Sequence, residues 1–296
     1  MTKKSPTILF FGTEDFSLLS LAALVDAGFR IGAVITKPDT LRGRKKILTK
    51  PAVKIYAEQH SIPVWQPAKL RDITENIAQF DHPVGVLVSY GKIVPQSIID
   101  LFTPGIINLH PSLLPQYRGP SPIEAAIINR DRKTGITLMQ LSAAMDAGPI
   151  YTQVPYALDF TETQPELYKT LGTLGAHILV RTLPAIIDGS IKAELQDESQ
   201  ATYTHILTRD DAILDLSRTT PGAAEAKIRA HLHYPKTRIR IGVHEVIVTK
   251  AHGVMTKKTP LDILCQNGAY LSIDELIAPS GKKLSAEEFL RGYSLS

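Results

Sequence analysis

The stretch Val84-Gly85-Val86-Leu87-Val88 runs for five residues without a polar interruption. A half-exposed strand alternates apolar and polar residues, whereas this one offers nothing to water on either face. It therefore belongs inside a parallel sheet that is covered on both sides. Working outward, residues 7–11, 31–36 and 64–65 read as strands before it, and 106–110 and 136–141 as strands after it. Residues 16–27 carry Phe16, Leu19, Leu21, Leu24 and Val25 at helical spacing, with Gly28 as a stop, and 51–60 form a second helix. Strands alternating with helices predict right-handed βαβ units and an α/β domain on a parallel sheet.

After a long helix over 165–188 the pattern changes. Residues 190–206 are a polar connector containing Gln196-Asp197-Glu198-Ser199-Gln200. Beyond it a helix over 220–232 leads into alternating or β-branched runs at 238–241, 245–250 and 270–273, broken by Gly242, Gly253, Asn267-Gly268 and Gly281. That is the signature of a small antiparallel β unit. The expected organisation is thus a first domain over 1–189, a linker over 190–206 and a second domain over 207–296.

The composition fits two globular domains. Of 296 residues, 44% are hydrophobic and 21% charged, and the formal net charge is +4. A chain of this length buries a sizeable core without staples. The single cysteine, Cys265, excludes an internal disulfide and a thiolate zinc site, and it fits a reducing compartment. The apolar run at 8–11 is too short for a signal peptide and meets Glu14 and Asp15. No stretch approaches about 18 uninterrupted apolar residues. A cytoplasmic protein with no membrane association is expected.

Charge is unevenly spread. Residues 37–54 hold seven Lys or Arg against Asp39 alone, and 227–258 hold eight against Glu245 alone. Two basic islands in a nearly balanced chain suggest an anionic partner larger than a metabolite, although each island also reads as a solvated surface.

Ligands of parallel α/β sheets bind beyond the carboxyl ends of the strands. Gly12-Thr13-Glu14-Asp15 after the first strand holds one glycine, not the several that a dinucleotide fingerprint needs, and the phosphate-binding loop of nucleotide hydrolases is absent. The informative segment is Ile106-Ile107-Asn108-Leu109-His110-Pro111-Ser112-Leu113-Leu114-Pro115-Gln116-Tyr117-Arg118-Gly119. Strand residues two apart share a face, so Asn108 and His110 present an amide and an imidazole side by side before Pro111 stops the ladder. Both can donate to a developing oxyanion. Taken alone, such a pair is more often structural. Asp146 in Met145-Asp146-Ala147-Gly148 would orient the histidine if the two met, but a separation of 36 residues in sequence leaves that open, and for an isolated Asp before Ala-Gly a plain turn is the better reading.

Asn-x-His-Pro-Ser-Leu-Leu-Pro, then Tyr-Arg-Gly, Pro122-Ile123 and Met145-Asp146-Ala147-Gly148, resembles the folate-dependent formyltransferase superfamily. Within it the chain is most similar to the methionyl-tRNA formyltransferases. The stretch 8–16, Lys37-Pro38-Asp39 with the basic run Arg42-Gly43-Arg44-Lys45-Lys46, Ser89-Tyr90-Gly91-Lys92-Ile93-Val94-Pro95 and the segment 281–290 all carry that narrower likeness. The resemblance implies a Rossmann-like parallel-sheet domain followed by an OB-like β-barrel. It implies formyl transfer from 10-formyltetrahydrofolate, as donor cosubstrate and without a metal, to the α-amine of initiator methionyl-tRNA, by a monomer. Carried over by residue, Asn108, His110 and Asp146 are the catalytic set. Ser112, Leu113, Leu114 and Pro115, with Tyr90 and Gly91, border the folate, and Arg42, Arg44, Lys45 and Lys46 meet the tRNA. Ser112 has no adjacent base, so it is assigned a backbone or pocket role rather than that of a nucleophile. An amino-sugar-nucleotide formyltransferase and an RNA-binding module with a vestigial site are the competing readings.

Overall fold

The structure, a computed structural model, describes residues 6–42 and 46–295, with Arg42 described through its backbone. In chain order the elements are β1 (Ile8–Gly12), α1 (Asp15–Asp26), β2 (Ile31–Ile35), β3 (Thr40–Arg42), β4 (Ile47–Thr49), α2 (Ala52–Gln59), β5 (Val64–Trp65), α3 (Thr74–Ala78), β6 (Val84–Val88), α4 (Gln96–Ile99) and β7 (Ile106–His110). There follow α5 (Pro122–Ile128), β8 (Lys133–Gln140), β9 (Ile150–Ala157), α6 (Gln164–Ile187), α7 (Pro221–Ala230), β10 (Arg238–Ile241), β11 (His244–Val254), β12 (Asp262–Leu264), β13 (Tyr270–Ile277), β14 (Lys283–Ser285) and α8 (Ala286–Gly292).

Two compact units are present. The first comprises Met1–Arg118, Gly135–Tyr156 and Tyr168–Tyr203; the second comprises Gly119–Thr134, Ala157–Leu167 and Thr204–Ser296. A seven-stranded sheet runs in the order β5-β2-β1-β6-β7-β8-β9. Its pairs are parallel from β5 through to β7. The expected α/β domain on a parallel sheet is thus present, with a departure at the next strand, where β8 runs antiparallel to β7. The connection at 111–132 contains a helix and is long enough for a parallel crossover, so neither its length nor its composition fixes the direction.

The apolar runs that define the strands are buried. Ile8, Leu9, Phe10, Phe11, Val84, Val86, Ile106 and Ile107 have no solvent exposure. By length and composition α6 would cross a bilayer, but half of its apolar window is buried in the protein. Leu171, Leu179 and Leu183 are fully buried, and glycines set the close approaches of this helix. A Cβ on Gly172 would lie 2.6 Å from Leu19 of α1, and one on Gly175 would lie 2.8 Å from Leu109 of β7. α6 therefore covers the sheet face opposite Asn108 and His110.

The second unit centres on a five-stranded antiparallel sheet, β10-β11-β13-β12 with β14 on β13. Its core gathers Ile228, Val246, Val248, Leu261, Leu271, Leu276 and Phe289. Thr220 caps α7 by accepting from the Ala223 N–H, with Pro221 in the first turn. Ser285 and Glu288 form a capping box on α8.

At the C-terminal end of α7, His231 is 1% exposed, and neither ring nitrogen has a hydrogen-bond partner among the described residues. Burial, with Lys227 acting in the same sense and Asp211 opposing, pushes its pKa down to about 4. The folded chain thus keeps this ring neutral, while the unfolded chain protonates it below about 6.5. Stability should fall as pH drops from about 6.5 toward 4, by up to roughly 3 kcal/mol from this group. Melting curves across that range should show a steeper decline for the wild type than for His231→Leu. Parallel declines would show that the ring does not report this burial.

Candidate active site

β7 is buried at all five positions and ends where Pro111 cannot donate to the ladder. Asn108 pairs with Leu87 of β6 and Met139 of β8, so strands on both sides hold its backbone. Asn108 and His110 are each only 5% exposed. The connection after β8 brings Asp146 to the same face. Asn108 Nδ2 donates to Asp146 Oδ1 at 3.3 Å. His110 Nδ1 lies 3.7 Å from Asp146 Oδ2, within ion-pair range but beyond a direct hydrogen bond. Asp146, far from the strand pair in sequence, thus meets both of its members.

The histidine is further defined by its other nitrogen. Nε2 lies 2.9 Å from the Tyr117 carbonyl, which can only accept. That contact places a proton on Nε2 and leaves Nδ1, on the Asp146 side, as the atom available to a reacting group. The expected pairing of Asn108 and His110 as oxyanion donors is therefore narrowed: His110 can donate there only through Nδ1, as the imidazolium. One N–H of Asn108 goes to Asp146, and the second is available.

Backbone geometry holds Asp146 forward. Its φ is 47°, a left-handed conformation that Asp tolerates better than most residues. Two residues on, a Cβ at Gly148 would fall 1.8 Å from the Gln140 carbonyl oxygen, so only glycine fits that approach.

The formyl transferase family matches this chain over residues 7–183. The methionyl-tRNA formyltransferase of Desulfotalea psychrophila is 36% identical, over 99% of this chain and 94% of that protein. The methionyl-tRNA formyltransferase of Stutzerimonas stutzeri is 38% identical, over 94% of this chain and 91% of its own. The chain belongs to the methionyl-tRNA formyltransferase family. Its fold is shared with the N-formyltransferase of Helicobacter canadensis, solved on complex with folinic acid and dTDP-3-aminofucose. The TM-score is 0.70 at 18% identity, over 90% of this chain and 98% of that one.

Around the three central residues of this formyltransferase lie the other predicted positions. Ser112 is fully buried, its hydroxyl donates to the Gln116 carbonyl at 2.6 Å, and its own carbonyl accepts from Thr137 Oγ1 at 2.7 Å. Its hydroxyl proton is spent on holding the turn. Leu114 is 3% exposed, and its carbonyl accepts from Gln153 Nε2 at 2.7 Å; the peptide to Pro115 is cis. Leu113 and Pro115 are partly exposed, and Leu113 sits against Gly135. Of this turn, those two side chains are the ones open to a ligand.

Tyr90 is 1% exposed and packs edge-on against Phe11 at 5.6 Å in the sheet's core. Burial pushes its phenol up to about 12. Only its backbone is available to a ligand, and the carbonyl already accepts from Thr13 Oγ1 at 3.0 Å. Gly91 has φ of 69°, and a Cβ there would meet Lys37 Nζ at 2.3 Å. Thr13 also accepts from the Lys37 N–H at 3.3 Å, which ties the ends of β1, β2 and β6 together.

The basic run is flanked by a two-stranded antiparallel pair, β3 with β4. Arg42 ends β3, and Lys46, exposed with φ of 48°, precedes β4. Arg44 and Lys45 lie outside the described residues. Leu41, Ile47 and Leu48 are each more than 60% exposed on this ribbon.

Sequence reasoning misses Tyr117, Arg118, Gln196 and Thr202. In sequence Gln196 is one more polar residue of the connector, yet its amide donates to the Asp146 carbonyl at 2.8 Å and to the Gly148 carbonyl at 2.7 Å. A buried arginine such as Arg118 demands partners, but nothing local in the sequence says that they lie about eighty residues on.

Proposed function

We propose that this family member transfers the formyl group of 10-formyltetrahydrofolate to the α-amine of methionine on initiator tRNA, with Asn108, His110 and Asp146 as the catalytic set. The observation that carries the reading is the meeting of the three around Asp146, at 3.3 Å from Asn108 and 3.7 Å from His110. The folate-dependent character of the family and the folinic acid held by the Helicobacter enzyme support the donor class. Leu113, Pro115 and the backbone at Tyr90 and Gly91 would border the reduced pterin.

The chemistry needs no covalent nucleophile, because the substrate amine attacks the formyl carbon itself. The carbonyl oxygen gains negative charge in the tetrahedral stage, and the free N–H of Asn108 is placed to stabilise it. Asp146 accepts the proton that the amine must lose, and His110, through Nδ1, supplies the one that the departing nitrogen must gain. Burial of Asn108 and His110, with Asp146 half-buried beside them, strengthens these interactions relative to water.

The domain assignment follows the same reading: residues 1–189 carry catalysis, 190–206 link, and 207–296 hold tRNA. The enzyme works as a cytoplasmic monomer. Arg42, Arg44, Lys45 and Lys46 neutralise tRNA phosphates. Charge reversal at Arg44 and Lys45 should raise the KM for aminoacyl-tRNA and flatten its salt dependence by about one unit of slope for each phosphate-neutralising cation removed, with folate binding unchanged. Steady-state kinetics at several salt concentrations would reveal this, and an unaltered KM would remove these residues from the interface. The function itself is tested by incubating the protein with formyl-folate and, separately, charged initiator methionyl-tRNA, charged elongator methionyl-tRNA and an amino-sugar nucleotide. Formyl incorporation confined to the initiator is expected. Incorporation into the sugar nucleotide instead would replace the reading.

A further inference from the structure

Arg118 is 1% exposed, and its guanidinium is fully engaged. It meets Glu198 through two bonds, at 2.8 and 2.7 Å, and donates to Tyr203 Oη at 3.1 Å. It also donates twice to Gln196 Oε1, at 2.8 Å from Nη2 and 3.2 Å from Nε. That fixes which way the Gln196 amide faces, since the oxygen must point at the arginine. Its NH2 group then points at two carbonyls that belong to Asp146 and Gly148, at 2.8 and 2.7 Å. Every hydrogen-bonding atom of this amide is used, and all of its donation goes to the segment that presents the Asp146 carboxylate.

The same stretch of chain reaches the histidine. Thr202 Oγ1 accepts from the Tyr117 N–H at 2.8 Å, and the Thr202 carbonyl accepts from the Arg118 N–H at 2.9 Å. Tyr117, at φ of 59°, is the residue whose carbonyl receives His110 Nε2. Residues 196–203 therefore hold both partners of the His110–Asp146 pair, one through each end.

We infer that Gln196, oriented by Arg118, is a positioning residue for catalysis: it sets the Asp146 carboxylate against Asn108 and His110 by holding the 146 and 148 carbonyls. The inference rests on Asp146 acting in the reaction. Its energetic logic is that Asp146 occupies a left-handed backbone conformation, at φ of 47°, that persists only where surroundings impose it. Displacing Asp146 by about 1 Å leaves the fold intact but turns its carboxylate away from the reacting amine, and such displacements cost up to about 10²-fold in rate.

The test separates donation from mere packing. Gln196→Glu keeps oxygens for Arg118 to grip but removes the hydrogens and faces two carbonyls with a carboxylate. Gln196→Met, of similar size and uncharged, is the companion should the introduced charge lower the melting temperature. Each is expected to reduce kcat by about 10- to 100-fold, with the KM of folate and of aminoacyl-tRNA unchanged. Placed on Asp146→Asn, each should cause no further loss beyond about twofold, because its effect runs through that carboxylate. Wild-type kcat in folded Gln196→Glu and Gln196→Met, or a loss that multiplies on Asp146→Asn, would overturn the inference while leaving the catalytic assignment intact. Full activity of Asp146→Asn alone would remove the assignment on which it rests.

Discussion

Asn108→Ala is expected to lower kcat by about 10²- to 10³-fold, with the melting temperature and both KM values near those of the wild type. Asn108 sits on a strand paired on both sides, so its Cα does not move when the amide is cut away. Under the proposed mechanism, what is lost is a donor aimed at an atom that carries charge only while the new bond is forming. Such a donor stabilises the transition state and not the bound substrates, and for that reason the loss falls on kcat. Asn108→Asp should be at least as slow, because its carboxylate has no hydrogen to offer and faces Asp146 with a second negative charge. Steady-state formylation of charged initiator tRNA measures both. Normal turnover by either variant would take Asn108 out of the reaction.

Asp146→Asn should reduce kcat by about 10²-fold or more. Asparagine is the informative replacement here. Alanine at φ of 47° would add backbone strain to the lost carboxylate, whereas asparagine accepts left-handed geometry and retains the shape of the side chain. A loss in Asp146→Asn thus reports the missing charge and proton acceptor rather than a collapsed loop. Asp146 is also held close to His110 and Asn108 at once, so its removal loosens both. Activity within a few-fold of the wild type would mean that the amine loses its proton elsewhere.

How far the sequence carries follows from which interactions are local. The buried strands are legible because a run such as Val84–Val88 or Ile106–His110 has no other place to go. The i and i+2 relation of Asn108 and His110 is legible for the same reason, since strand geometry alone puts them on one face. Asp146 comes from resemblance, and its meeting with the pair depends on a connection whose path is set by Gly148 against the Gln140 carbonyl. The direction of β8 escapes the sequence because a helix-bearing connection serves either sense. Tyr90 looks like a ligand residue at a strand exit, but its ring turns inward against Phe11. Gln196 is invisible, because its partners are the backbone carbonyls of residues 146 and 148, and carbonyls leave no mark in a sequence.

We propose that formyl transfer in this protein depends on three side chains acting together on one carbonyl carbon. A single-turnover measurement with saturating formyl-folate and charged initiator methionyl-tRNA, made on the Asn108→Ala/Asp146→Asn double variant, addresses that joint action with least intervening inference. The expected result is a transfer rate at or below that of the slower single variant, with folate still bound. Transfer at the wild-type rate would contradict it.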